Sequence, residues 1–346
     1  MKRLRKRTRK GAPGIIEVAN RAGVSPATVS RFYNNPDVVR GPTRKRIEKA
    51  AQDLGYIRDR MAGTLHNRFS GTFGLIVPTI DNAIFAELID AFSSRLQQCD
   101  RTMLIATHGY DLGLESGIVR SLLERRIDGI ALIGFDHNEV PLNMLEQRDV
   151  PVISIWNHDA NSAIPSVGAD NKLAGNLVAD HILELGHTEI ALIFPDTTNN
   201  DRARDRLTGV QEVLLEAGIE VDAERNLRSF YDVGEAKSVA CKLLQEKNPP
   251  SAIICGNDVI AHGVVYAAQK LKIDIPQKLS VVGIGDFTGS EYLEPGLTTV
   301  RMPAKRIGIQ AANTILAMSE TGLPPQPFHN PIPLELVIRN STQSKS

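Results

Sequence analysis

The stretch GVSPATVSR, residues 23–31, is the first place where residue types and spacing could do chemistry. Ser25 carries the hydroxyl of a helix N-cap and Pro26 suits the first helical position, so a helix is predicted over residues 26–34. That helix offers Val29 and Phe32 or Tyr33 to a core and keeps Thr28, Ser30 and Arg31 polar. An α-helix fits the B-DNA major groove, where hydroxyl, amide and guanidinium groups reach base edges while basic neighbours hold phosphates. The chemistry predicted is therefore recognition. Nothing elsewhere supplies catalysis. The sequence holds no CxxC, HExxH, Walker-type phosphate loop, GxSxG elbow or clean GxGxxG. Its eight histidines form no i, i+4 pair on a recognisable helix, so neither a metal nor a cofactor is expected. The Gly-rich run GIGDFTG (283–289) reads as a strand-end loop bordering a cleft. The expectation is a binding protein and not an enzyme.

The elements that would position this helix are legible on either side. Ile15, Val18, Ala19 and Ala22 recur at helical spacing until Gly23 ends the run. A third helix near 42–54 puts Ile47, Ala50, Ala51 and Leu54 on one face, with Arg44, Lys45, Arg46 and Lys49 largely on the other. Two helices joined by a tight Gly-containing turn, the second polar and basic, make a helix-turn-helix. Charge supports it. The 346 residues carry no net charge, but residues 1–70 hold 17 Lys/Arg against 5 Asp/Glu, a net of +12, and the remainder carries −12. A basic head on an acidic body implies a polyanionic partner for the head alone. Seven of those positive charges lie in MKRLRKRTRK (1–10), which reads as a disordered arm over 1–12. After the head, residues 59–70 read as a linker with a short helix from Asp59 to about Asn67. It would be marginal in water, and Gly63 costs it roughly 1 kcal/mol more.

From Thr72 onward, short apolar runs alternate with amphipathic stretches. FGLIVP (73–78), TMLIAT (102–107), DGIALIG (128–134) and PVISIW (151–156) are strand candidates for a first half. EIALIFP (189–195), SAIICGN (251–257) and SVVGIGD (280–286) serve a second, with LTTVR (297–301) and LELVIR (334–339) near the end. The pattern predicts two parallel sheets with crossover helices, hence two lobes, with ligand in the cleft outside the strands' carboxyl ends. No apolar run approaches the roughly 18 residues of a membrane span, and no apolar stretch follows the basic N-terminus as in a secretory signal. Three scattered cysteines (Cys99, Cys241, Cys255) fit a reducing compartment, so a cytoplasmic protein is expected.

The sequence GIIEVANRAGVSPATVSRFYNNPDVV, followed by TRKRIEKAAQDLGY, closely resembles the head of the LacI/GalR (lactose-repressor) family of bacterial regulators. In the body, GLIVPTIDNAIFAEL, LLERRIDGIAL, VGADNKLAGNLVADHILELGH, IICGNDVIAHG and PGLTTVRMP resemble the same family in order. The resemblance implies a small all-α helix-turn-helix head (13–58), a hinge helix or linker (59–70), a two-lobed α/β body of the type I periplasmic-binding-protein kind (71–340) and a tail (341–346). It implies that Pro26, Ala27 and Arg31 help read DNA, with Ser25, Thr28, Ser30 and Asn34 on the same helix. Pro26 and Ala27 can read only shape or thymine methyls, which leaves Arg31 as the polar base contact. In the hinge, Leu65 matches a minor-groove wedge, with Met61 and Ala62 on the same helix.

In the cleft the resemblance implies that Phe85, Arg206, Asn257 and Asp258 meet a small effector, commonly a sugar or derivative; Gly285, in place of a ligand-directed Asp, would permit an anionic or bulkier one such as a sugar acid. Trp156 and Asp286 complete the predicted set. Each has a plainer reading: Phe85 as core, Arg206 paired with Asp201 or Asp205, Asp258 capping the next helix, Trp156 at a contact between lobes. Three departures stand out. Arg40 replaces a capping Ser, Gly63 a longer polar residue, and Gly285 the Asp that relatives direct at ligand. RFYNNPDVV and THGYDLGLE resemble gluconate-type members. The partners implied are a palindromic double-stranded DNA operator, a small-molecule effector and a second copy of the chain. With no apolar heptads after Asn340, a homodimer is expected rather than a tetramer, acting as a repressor without membrane contact.

Overall fold

The computed structural model describes residues 13–58, 69–81 and 83–345, in two units divided between Ser70 and Gly71. The first unit is built from α1 (Ile15–Ala22), α2 (Pro26–Asn34) and α3 (Gly41–Leu54). Val18, Ala19 and Ala22 of α1, Val29 of α2, Val39, and Ile47, Ala50 and Ala51 of α3 form its buried core. Phe32 and Tyr33 both pack at the rim of that core, half-buried. The α1–α2 turn needs a glycine: Gly23 sits at φ 63°, and Arg46 of α3 donates to the carbonyls of Ala22 and Gly23. A Cβ at residue 23 would lie 2.8 Å from that guanidinium, so the turn is locked from both sides. Ser25 caps α2, its Oγ accepting the Thr28 N–H at 3.2 Å. α3 starts one residue earlier than predicted, at Gly41, with Arg40 in the cap position and no side-chain cap. Ser25→Ala is therefore expected to destabilise the head by about 1 kcal/mol, read as a lower melting temperature.

The body opens with β1 (Thr72–Val77), α4 (Ala83–Gln97), β2 (Thr102–Thr107), α5 (Glu115–Glu124), β3 (Ile130–Ile133), α6 (Glu139–Glu146), β4 (Val152–Asn157) and β5 (Ser166–Ala169). It continues through α7 (Asn171–Glu184), β6 (Ile190–Phe194), α8 (Asp201–Glu216), β7 (Asn226–Arg228), α9 (Val233–Leu244), β8 (Ala252–Cys255), α10 (Asp258–Leu271), β9 (Ser280–Gly285) and β10 (Thr298–Arg301). It closes with α11 (Ala304–Thr321), β11 (His329–Pro331) and β12 (Glu335–Val337). Among the described residues these strands make two six-stranded sheets, ordered β11-β5-β4-β3-β1-β2 and β12-β10-β9-β8-β6-β7. All pairings are parallel except β10 with β12.

Every apolar run predicted as a strand forms one. β5, β7 and β11 were not anticipated, because SVGA, NLR and HNP are short and lack a β-branched run. The chain passes between the sheets three times, after β5, after β10 and after β11. α11 returns to the first lobe and packs along α4. In the second lobe, α7 and α8 touch backbone to backbone: a Cβ on Gly175 would lie 2.1 Å from the Arg206 carbonyl oxygen, and one on Gly209 2.2 Å from that of Lys172.

Residues 341–345 are not a loose tail. Ser341 is fully buried, its Oγ accepting from Thr298 N–H at 2.8 Å and donating to the Val281 carbonyl at 2.6 Å. His187 Nε2 lies 3.0 Å from the Gln343 carbonyl, and Lys345 N–H donates to Leu185. The segment is a strap across the second lobe. Ser341→Ala, which leaves a buried N–H and a buried carbonyl short of a partner, is expected to cost about 1–3 kcal/mol in chemical denaturation. Among the described residues no helix is long and apolar enough to cross a membrane.

Candidate functional sites

On the head, α2 presents Pro26, Ala27, Arg31 and Asn34 to solvent. Arg31 makes no ion pair among the described residues, whereas nearby Arg44 meets Asp37 at 3.4 Å and Arg21 meets Asp53 at 3.7 Å. Ser25 is exposed, but its oxygen serves the helix cap and lies 2.9 Å from Thr28 Oγ1. Thr28 and Ser30 are half-buried, and Ser30 Oγ accepts from Asn34 at 3.4 Å. Asn34 is further engaged by Arg58, which also donates to the Tyr33 carbonyl at 2.7 Å and lies 5.7 Å from the centre of that ring. Sequence reasoning missed Arg58, since no local spacing links it to α2. Met61, Ala62 and Leu65 lie outside the described residues, as does the arm at 1–12.

In the body, both lobes contribute to one cavity. Phe85 of α4, Tyr110 after β2 and Trp156 of β4 face Arg202 and Arg206 of α8, Tyr231 after β7, and Asn257 before α10. The Phe85 and Trp156 rings meet nearly edge to face, 5.5 Å apart, and Tyr110 lies 6.0 Å from Tyr231. Phe85 and Trp156 are also buried, so the core reading and the cavity reading hold together. Trp156 sits at φ 81°, a conformation costing about 1–3 kcal/mol that the ring packing must sustain. About 10 Å³ is open to the centre of a water molecule, room for about one water. A larger occupant requires the lobes to part.

Arg206 is paired with neither Asp201 nor Asp205. Its Nε donates to Asn171 Oδ1 at 2.7 Å and its Nη1 to the Gly256 carbonyl at 3.1 Å. Burial pushes its pKa down. Asp201 instead pairs with Arg202 at 2.7 Å and reaches across to the first lobe, accepting from Phe135 N–H at 2.8 Å and Asn157 Nδ2 at 3.0 Å. Burial alone would raise the Asp201 carboxyl, but Arg202 and these donors outweigh it and hold the pKa low. Asp205 accepts from Asn157 at 2.7 Å, and Arg204 grips Asp136 with two hydrogen bonds at 2.8 and 3.0 Å. The start of α8 thus fastens one lobe to the other. Burial pushes the Tyr110 phenol well up, so it stays a hydroxyl donor.

Two predicted effector residues are engaged by other groups in this structure. Asp258 does not line the cavity: its carboxylate accepts from Thr299 Oγ1 at 2.6 Å, Ser290 Oγ at 2.7 Å and Phe287 N–H at 3.0 Å, tying down the loop after β9. The cap of α10 is Asn257, whose Oδ1 accepts the Ile260 N–H at 3.0 Å. Asp286 also stands off the cavity, held by Arg301 and Arg339, each at 2.7 Å. Gly285 has a local cause: it adopts φ 150°, and a Cβ there would fall 2.1 Å from the Phe287 ring. Tyr110, Tyr231 and Arg202 were missed. Arg202 was findable, because Arg202 and Arg206 are four apart on one helix and share a face.

Residues 14–59 match the bacterial regulatory proteins of the lacI family, and residues 179–342 match the periplasmic binding protein-like domain. The chain is 30% identical to the HTH-type transcriptional regulator DegA of Bacillus subtilis, over 95% of this chain and 97% of that one. It is 30% identical to the HTH-type transcriptional repressor PurR of Vibrio atlanticus, over 87% of this chain and 90% of that one. Among solved structures it resembles the transcription regulator GntR of Chromobacterium violaceum, with a TM-score of 0.74 and 27% identity, covering 78% of this chain and 99% of that chain. With a helix-turn-helix head and a two-lobed α/β body in the same order as in these relatives, the chain belongs to the LacI family of DNA-binding transcriptional regulators.

Proposed function

We propose that the protein is a homodimeric repressor that reads a palindromic operator with two copies of α2 and responds to a small sugar-type or sugar-acid effector held between its lobes. The observation that carries the DNA reading is the exposed face of Pro26, Ala27 and Arg31 on a capped helix, with Arg31 free of any carboxylate among the described residues. Pro26 and Ala27 read groove shape or thymine methyls, and Arg31 supplies the bidentate contact. Lys45 and Lys49, exposed on α3, add phosphate contacts. Met61, Ala62 and Leu65 are assigned to the hinge, with Leu65 as the minor-groove wedge. Asn257 and Arg206 are assigned to polar groups of the effector, and Phe85 and Trp156 to its apolar face.

Regulation follows from the contacts between lobes. Asp201 to Phe135, Arg204 to Asp136, Asn157 to Asp205 and Thr288 to Glu87 (3.3 Å) all form only with the lobes together. An effector that seats between the lobes shifts their orientation and, through it, the order of the hinge. The coupling is reciprocal and typically about 1–3 kcal/mol. For the second copy, we assign the groove of about 520 Å³ between edge strand β2 and α5, where Ile105 and Leu114 are exposed. An unpaired strand edge beside apolar side chains is a surface that a partner should cover.

Genome-wide mapping of bound sites tests the reading: an inverted repeat with half-sites about one helical turn apart is expected. Sites without repeat symmetry would refute the dimeric operator. Ile105→Lys is expected to yield monomers in sedimentation velocity and to lose the operator while the head stays folded.

A further inference from the structure

The cavity carries an unbalanced charge. Among the described residues its lining includes two cations, Arg202 and Arg206, and no carboxylate. Asp201 neutralises Arg202 at 2.7 Å. Arg206 has no such partner within 4.0 Å among the described residues, and the two protein oxygens it binds are neutral, the Asn171 amide and the Gly256 carbonyl. The acidic groups in the neighbourhood are committed elsewhere. Asp205 turns to Asn157, Arg204 occupies Asp136, and Asp258 is taken by two hydroxyls and an N–H. The strand end at β9 cannot supply a carboxylate either, since Gly285 adopts φ 150° with the Phe287 ring in the space of its side chain. Arg206 is only 3% exposed, so water cannot screen it. A buried charge lacking its counter-charge costs several kcal/mol. The fold tolerates that cost at a place where a ligand can remove it.

Resting on the effector reading above, we propose that the effector is an anion, a sugar acid whose carboxylate completes the charge on Arg206. The Asn257 amide and the Tyr110 and Tyr231 hydroxyls then meet its hydroxyl groups, and Phe85 and Trp156 its apolar face. The bidentate fork of a guanidinium matches a carboxylate, and such pairs are about twice as strong as neutral hydrogen bonds. A neutral sugar would leave the cation buried and unmatched.

Calorimetric titration of the full chain with neutral hexoses and pentoses, beside the uronic and aldonic acids of the same carbon skeletons, tests this at fixed ionic strength. The tightest binder is expected to be an acid, on the order of 30-fold tighter than its neutral counterpart. Asn257→Asp adds a carboxylate to the same wall and keeps α10 capped, since Asp caps as well as Asn. It is expected to weaken acid binding by on the order of 30-fold and so to erase the preference for the acid over its neutral counterpart. A neutral sugar as the tightest binder, or an acid preference unchanged by Asn257→Asp, overturns the charge assignment and leaves the effector cavity standing. Binding of neither class overturns the cavity reading and this inference with it.

Discussion

Arg31→Ala is expected to weaken binding to the operator by about 2–6 kcal/mol per dimer, on the order of 30-fold to 10⁴-fold, while leaving nonspecific DNA binding nearly unchanged. The size follows from one guanidinium contact per half-site at about 1–3 kcal/mol, doubled by symmetry. Neither neighbour on the reading face can compensate, because Pro26 and Ala27 carry no side-chain donor. Folding should be untouched: Arg31 is exposed and unpaired among the described residues, and alanine is the better helix former. Fluorescence anisotropy on operator and scrambled duplexes at one salt concentration separates the two terms. An equal loss on both duplexes would make Arg31 a phosphate contact and refute its role in reading bases.

The second large effect concerns the helix pair that carries Arg202 and Arg206. Gly175→Ala places a methyl group 2.1 Å from the Arg206 carbonyl oxygen, and Gly209→Ala places one 2.2 Å from that of Lys172. Neither obstacle is a flexible side chain, so α7 and α8 must move apart. Overpacking of this kind costs about 1–3 kcal/mol and occasionally more, and a backbone clash belongs at the upper end. At about 2–4 °C per kcal/mol, each variant is expected to lower the body's melting temperature by roughly 6–12 °C. Effector affinity should fall with it, because α8 holds both Arg202 and Arg206. If both variants melted with the parent protein, the close approach of α7 and α8 would be disproved.

The head was legible almost residue by residue because its signals are local. A cap at Ser25, a proline at Pro26 and a left-handed glycine at Gly23 act within one turn of chain, and α2 spans the predicted residues. The body was legible where burial writes itself into composition, as in TMLIAT, and not where a strand borrows stability from its neighbours, as in β5, β7 and β11. The cavity between the lobes was half legible. Phe85, Trp156, Arg206 and Asn257 converge, but Asp258 and Asp286 do not, although Asn257, Asp258 and Asp286 all follow the carboxyl ends of the neighbouring strands β8 and β9. What separates them is the supply of donors from distant chain: Thr299 and Ser290 claim one carboxylate, Arg301 and Arg339 the other. No pattern local to Asp258 or Asp286 announces those partners. The strap at 341–345, expected only as a tail, was illegible for the same reason, since Ser341 owes its burial to Val281 and Thr298.

The three passages of the chain between the sheets bear on how such a regulator can be recombined. The head is one uninterrupted block, so a single genetic crossover within 59–70 would deliver a new DNA address to an old sensor. The lobes are interleaved, and exchanging one of them requires junctions after β5, after β10 and after β11 at once. Inheritance by shuffling is therefore easy for the address and hard for half a sensor. New effector preferences should arise by point substitution around the cavity, while new operators can be acquired whole.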